Sequence, residues 1–570
     1  MQHTGKLIIR GGTIVDGTGA QPFEADVELI DGKIGRIGKL GQAQGEVIDA
    51  RGCLVTPGFV DVHTHYDGQA TWSQSLSPSS WHGVTTAVMG NCGVGFAPCL
   101  PHQREMLVEL MEGVEDIPGI VLNEGLPWNW QSFPEYLDAL AQRQFDMDVA
   151  AQLPHAALRV HVMGERGARR ERATAQDCEQ MARLAGEAIR AGAFGFSTSR
   201  ALAHKTRDGE PIATLDAAED ELMAITMAVG REGKGVLQFI TDIPQKKAEG
   251  VAEFDMLRRL VQRSGRPMSV NITQRESDPD GWKRMMDMVA QANADGVRIT
   301  GQVMGRPIGL LMGFELTDNP FSHHPLWRQI EKLPMPQRVE RLRDSQVRAT
   351  LLATPPASAE FAARFHDFKK QYEMGEKPDY EPMPQDSIAA RAQRMGVSPA
   401  ELAYDVMMQR NGIGLLYRPL LNYANGNLDA VLAMMRHPNT VPGIADGGAH
   451  CGMVCDASIT SYVLSHWTRD RTRGERLPLP YVVKRQTADA AAVVGLTDRG
   501  RIATGLKADV NVIDHDRLAL HRPEVLYDLP GGGRRLVQRA DGYVATIVSG
   551  VVTQRGGQPT GELPGRLLRA

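Results

Sequence analysis

Cysteine is scarce in this chain. Of 570 residues only six are cysteine: Cys53, Cys92, Cys99, Cys178, Cys451 and Cys455. They are too few for a disulfide framework, and no paired Cys-x-x-Cys motif suggests a zinc ribbon. Long apolar runs are also missing. None approaches the roughly 18 residues needed to cross a bilayer, so no membrane role is expected. Charge of one sign is not in excess: 63 Lys and Arg stand against 68 Asp and Glu, a net charge of −5. That balance lacks the basic footprint of a nucleic-acid partner. Before the first strand-like segment, Lys6–Val15, no leader pattern is evident. With the sparse cysteines, this makes a reducing cytoplasm the expected compartment. What is present is ordinary globular material, 42% hydrophobic and 23% charged, and long enough for several domains.

Residues 6–56 read as short strands. They are punctuated by Gly11-Gly12, by Asp31-Gly32 and by Gly41. Asp31-Gly32 is a strong hairpin signal, because both central turn positions favour φ > 0. From Pro57 the texture changes, and apolar strands alternate with helical segments, the pattern of a parallel α/β fold. Strands are expected near 59, 85, 149, 193, 235, 267, 297 and 441. Helices are expected over 174–191, from a capping box at Asp216 to about Arg231, and over Trp282–Ala292. Eight such strands fit a (β/α)₈ barrel. A mostly helical insertion interrupts the rhythm at about 305–436. It is either a lid, an oligomer contact or a decoration, and Ser398-Pro-Ala-Glu401 opens one of its helices. Strand texture returns at the C-terminus. The expected organisation is a composite β-sandwich domain from 1–56 and 497–570 around a barrel of 57–496.

The chemistry gathers around Pro57-Gly-Phe-Val-Asp-Val-His-Thr-His65. Alternation along a strand puts Phe59, Asp61, His63 and His65 on one face. Two imidazoles so placed can reach one metal ion. Function in barrels sits at this end of the strands. Asn91-Cys92-Gly93 follows a second strand. Asp446-Gly-Gly-Ala-His450 follows the last, and its glycines are expected to leave room for a substrate. His155 follows the third strand, as a ligand, a group behind the ligands, or a satisfied core histidine. Arg200 follows the fourth and could grip a substrate carboxylate or simply face solvent. His204 and Lys205 have the same standing. His450 is close enough to Asp446 to line the same mouth.

Together these residues resemble the amidohydrolase superfamily. The marks are Gly11-Gly-Thr-Ile-Val-Asp-Gly17, the His63/His65 strand, Gly83-Val-Thr-Thr86 and Leu506–Asp514. Gly90-Asn-Cys-Gly93, Pro154-His155 and Gly195-Phe-Ser-Thr-Ser199 are similar to the N-acyl-D-amino-acid deacylase (D-aminoacylase) branch. The resemblance implies a metal-containing barrel that hydrolyses an amide bond of a small molecule. It implies His63, His65, Cys92 and Asp446 as metal ligands, with Asp446 also shuttling the proton. Zinc, as one or two ions, suits that donor set. One departure stands out. The branch carries two further histidines after the middle strands, and the matching segments, Val236–Asp242 and Ser269–Gln274, contain none. Competing readings are a deaminase or cyclic-amide hydrolase on the same frame, and a non-catalytic, metal-poor homologue.

Overall fold

The computed structural model describes residues 5–41 and 45–570. Its centre is built from eight strand segments, as the alternating texture predicts. They are Phe59–Asp61, Val84–Met89, Asp148–Ala151 continued by Leu153–Pro154, Gly195–Ser199, Val236–Ile240, Met268–Ile272, Ile299–Val303 and Thr440–Pro442. Neighbours pair in parallel. Nearly every strand residue is buried, because the sheet is covered on both faces. The sheet has two seams. At Gln152 the third strand shifts partners: Asp148–Ala151 pairs with Val84–Met89, whereas Leu153–Pro154 pairs with Gly195–Ser199. At the other seam the first and last strands meet just past their ends. Thr64 bridges Gly447. The His65 N–H donates to the Gly447 carbonyl at 2.7 Å, and the Asp446 N–H donates to the His63 carbonyl at 3.1 Å.

Helices cover the sheet. Ala175–Ala191 starts at Thr174, whose hydroxyl accepts from the Asp177 N–H, and stops at Gly192 with φ 112°. The helix expected from Asp216 instead begins at Glu219, after Ala218 and without a side-chain cap. Asp216 is drawn off to Arg170, at 2.6 Å. Ser398 caps Pro399–Gly412 as expected, accepting from the Glu401 N–H at 3.1 Å.

Both chain ends contribute to one nine-stranded sheet. Val510–Ile513 runs antiparallel to Leu54–Pro57, so the returning chain clamps the segment that feeds the first barrel strand. Ile9, Val27, Val55, Val510 and Ile547 share its core. Asp31 and Gly32 take φ 49° and 74° in the tight turn the sequence marks. The stretch at about 305–436 holds six α-helices between Pro325 and Gly412. It also holds an antiparallel sheet that helical texture concealed, formed by Ile308–Met312, Tyr372–Glu373 and Leu416–Leu421. Phe314, Phe321, Trp327 and Tyr404 form a core of its own there.

One buried arginine ties the two parts together. Arg499 is 3% exposed and donates to Asp148 at 2.7 Å and to Thr86 at 2.8 Å, both on barrel strands. Lys507 also reaches Asp148, at 3.1 Å, so losing the arginine takes one of two cations from that buried carboxylate. Arg499→Met is therefore expected to cost about 1.5–3 kcal/mol of stability in denaturant unfolding. A loss within the scatter of surface substitutions would show that this pair does not hold the parts together.

Candidate metal centre and its mouth

The local sequence explains why the candidate ligands converge. Cys92 lies past the end of the second strand in a left-handed conformation, φ 56°. Asn91 holds it there, its side-chain amide donating to the Thr64 carbonyl at 3.1 Å and the Val88 carbonyl at 2.8 Å. Gly93 is required by contact: a Cβ there would stand 2.7 Å from the Thr198 backbone. Asp446 also sits at positive φ, 50°. Its neighbours Gly447 and Gly448 do not open space for a substrate, contrary to expectation. A Cβ on Gly447 would lie 2.4 Å from the Ser79 hydroxyl, and one on Gly448 2.8 Å from the His65 carbonyl oxygen. These glycines let the last strand press against the first. Ile444 and His450 add two more non-glycine residues at φ 60° and 55°. Such a concentration of backbone strain is common where function constrains geometry.

His63, His65 and Cys92 place their donor atoms within 4.8 Å of one another. His63 Nε2 is 3.3 Å from Cys92 Sγ and 3.3 Å from Asp446 Oδ1. His65 Nε2 is 3.6 Å from the same oxygen. His63 Nδ1 lies 2.7 Å from the Gln302 side-chain oxygen, and the Gln302 amide donates to Ser269 at 2.9 Å. That partner makes Nδ1 the protonated nitrogen and leaves Nε2 with a lone pair aimed at the cluster. Both ring nitrogens of His65, Asp446 Oδ1 and Glu115 Oε1 are buried without a hydrogen-bond partner. Buried polar atoms are nearly always satisfied, so this knot of lone pairs has the form of a cation site.

Electrostatics point the same way. Among the described residues, every ion-pair partner of Asp446 and of Glu115 is a histidine. Burial pushes the Cys92 thiol well up, and the negative charges of Glu115, Asp446 and Asp67 add to it. Burial does the same to Glu115, with Asp446 and Asp67 reinforcing it. Burial also opposes the Asp446 carboxylate, but His65, His63 and His450 outweigh it and hold that group below its usual range. A divalent cation would reverse the penalty on the thiol. Two imidazoles, a thiol and a carboxylate therefore fit a metal, and these four side chains could hold it.

The remaining candidates divide. His450 reaches the mouth, its Nε2 3.7 Å from Asp446 Oδ2. His155 does not. Its Nδ1 meets Thr198 at 2.8 Å and its Nε2 meets Glu221 at 2.9 Å, with Arg159 on the far side of Glu221, so neither nitrogen is left for a metal. Arg200 grips a carboxylate of the chain itself, Glu253, at 3.0 Å, and donates to the Ala217 carbonyl at 2.7 Å. The middle strands supply amides where histidines are missing. Gln238 accepts from the Cys92 N–H at 3.2 Å, and Asn271 bonds the Thr241 backbone at 2.7 and 3.1 Å.

Sequence reasoning missed Glu115 and Gln302. Glu115 ends the helix Arg104–Glu115 on its buried side, with Val108 and Met111 seven and four positions earlier. An acid on an apolar stripe was the available signal. Gln302 carried none. Beside Asp446 opens a cavity walled by Trp72, Ile117, Val121 and Leu536.

A cluster of metal-ligand type, at the end of parallel barrel strands and beside an apolar cavity, defines a barrel hydrolase. The chain belongs to the amidohydrolase family, whose profile matches residues 46–554. It is a hydrolase acting on carbon–nitrogen bonds. N-acyl-D-glutamate deacylase of Alcaligenes xylosoxydans xylosoxydans is 27% identical over 580 residues, covering 100% of this chain and 97% of that protein. The fold matches a D-aminoacylase structure described by its binuclear metal center, with TM-score 0.64 and 22% identity over 99% of both chains. It also matches N-acyl-D-glutamate deacylase from Bordetella bronchiseptica, solved with zinc and a phosphonate inhibitor, with TM-score 0.63 and 23% identity over 100% of both chains.

Protein purified without chelator is expected to carry divalent metal. His63→Ala combined with His65→Ala should reduce it to below about a tenth, because ligands on one strand cannot be replaced from elsewhere. Full metal content in the double variant, by elemental analysis, would place the metal at another site.

Proposed function

We propose that the protein hydrolyses a linear amide of the N-acyl amino-acid type, with His63, His65, Cys92 and Asp446 holding a zinc-like cation. The observation that carries this is the meeting of unpartnered lone pairs from His65, Asp446 and Glu115 at a barrel mouth. A cation held there would supply polarisation of a scissile carbonyl and activation of a water near neutral pH. The chain supplies the rest. Gln302 fixes the tautomer of His63. The seam bonds fix Asp446 against His63, so its carboxylate is presented without a search. As a carboxylate, Asp446 can take a proton from the attacking water and pass it to the departing nitrogen. The apolar walls Trp72, Ile117, Val121 and Leu536 would take an apolar acyl or side-chain group and exclude water from it. Relatives whose names specify N-acyl-D-amino acids support this substrate class.

Asp446→Asn tests the reading. Asparagine is nearly isosteric and can still offer an oxygen to a cation, but it cannot accept the proton. Turnover of an N-acyl amino acid that the native protein cleaves should fall by roughly 10²–10⁴-fold, with metal retained. Near-native hydrolysis by the variant would remove Asp446 from the mechanism. Release of ammonia instead of a free amino acid would replace the reading with a deaminase.

A further inference from the structure

A strap of chain leaves the fourth barrel strand at Ser199 and crosses to the helix that carries Glu115. At its root the Leu202 N–H donates to the Asp242 carboxylate at 2.7 Å, and the Thr214 hydroxyl donates to the Ser199 carbonyl at 2.7 Å. At its far end the Arg207 N–H donates to the Glu109 carbonyl at 3.2 Å, and the Arg207 guanidinium reaches Glu109 and Glu112 at 3.1 and 3.2 Å. His204 lies between these anchors. On one side is Ser199, whose backbone nitrogen would be 3.1 Å from a Cβ on Gly93, the neighbour of Cys92. On the other is Lys205, packed so closely on Gly113 that a Cβ there would strike its carbonyl oxygen. Gly113 precedes Glu115 by one turn's fraction, and Glu115 Oε1 is 3.3 Å from His65 Nδ1. The strap therefore carries His204 across the proposed centre, between the Cys92 turn and Glu115.

The orientation of the ring proton follows from its partner. Ser199 Oγ lies 2.8 Å from His204 Nδ1 and accepts the Ala201 N–H at 3.2 Å. Ser199 is fully buried, and among the described residues its hydroxyl has no other partner. A buried hydroxyl donates where an acceptor is in reach, so its hydrogen goes to Nδ1 and the imidazole proton sits on Nε2. Burial pushes this imidazole down to about 3, with His450 and His65 adding to the effect and Asp446 opposing it, so the ring is an uncharged donor. We propose that His204 Nε2–H donates a hydrogen bond to the carbonyl oxygen of the scissile amide and stabilises the charge that forms there. When water adds to the carbonyl carbon, the π pair of the C=O bond moves onto oxygen. The hydrogen bond strengthens as that charge grows, and the imidazole keeps its proton. On collapse the pair returns, the C–N bond breaks, and the water's proton reaches the departing nitrogen through Asp446. A donor tied down on both sides before the reaction needs no reorganisation during it.

Because the oxygen it meets belongs to the substrate amide, this role rests on the proposed hydrolysis. Nitrogen NMR of histidine-labelled protein, with the His204 signal identified by its loss in His204→Phe, should show a proton on Nε2 and none on Nδ1 near neutral pH. On an N-acyl amino acid that the native protein cleaves, His204→Phe should lower kcat by roughly 10²–10³-fold, with KM little moved and metal content unchanged. His204→Gln keeps an N–H donor and should recover part of the loss. Ser199→Ala should let the proton divide between the two ring nitrogens, and lower kcat by less than His204→Phe does. A proton on Nδ1 alone, a loss confined to KM, or a near-native kcat in His204→Phe would each overturn the role of His204 while leaving the proposed hydrolysis in place. A native protein that cleaves no N-acyl amino acid would overturn both.

Discussion

The bonds that join the first strand to the last are the constraint on which the rest depends. A parallel sheet of this size has two edges, and exposed edges are a hazard that closure removes. Here the edges meet outside the ladders proper, through Thr64 with Gly447, His65 with Gly447, and Asp446 with His63. The residues that close the sheet are thus the residues that bear the donors. The close approach explains why Gly447 and Gly448 cannot carry a Cβ, and why Asp446 is forced to positive φ. Folding and site assembly are one event: a chain that has not joined its strand ends has not brought His63 to Asp446.

Elsewhere the chain shows how it treats a buried acid when no cation is meant to come. Asp148 is met by Arg499 and Lys507, Asp456 by Arg306, and Glu221 by Arg159 together with His155. Each of these carboxylates receives a fixed positive charge, which offsets the desolvation cost. Asp61, Asp67 and Asp146 are buried with neutral donors alone. Asp446 and Glu115 are paired only with imidazoles, which burial keeps short of their protons. What sets the mouth apart is that unpartnered atoms of His65, Asp446 and Glu115 converge there, and that convergence is the physical argument that a cation belongs there.

Much of this was legible in the sequence, and the reasons are local. The eight strands announced themselves because each is short and apolar and most are followed by a helix. His63, His65, Cys92 and Asp446 were legible because each ends a strand beside glycine or threonine, in a pattern similar to that of a known family. What was hidden depended on partners far along the chain. Nothing near Asp216 shows that Arg170 will take it from the helix it should cap. Nothing near His155 or Arg200 shows that Glu221 and Glu253 will occupy them. The small sheet within the insertion joins strands about a hundred residues apart, which periodicity cannot see.

The missing histidines of the middle strands then take on a physical meaning. Gln238 spends its side-chain oxygen on the Cys92 N–H and leaves its Nε2 without a partner, and Asn271 spends both amide atoms on the Thr241 backbone. An amide that fixes the turn bearing Cys92 still supports that thiol, but it supplies no imidazole. The donors that remain, His63, His65 and Asp446, lie on the seam, and Glu115 and His450 flank them on the same side. The weight of the site is thereby shifted from the middle strands to the closure of the barrel. A site built there gains rigidity from the seam bonds, and its chemistry becomes inseparable from the closure that makes the fold.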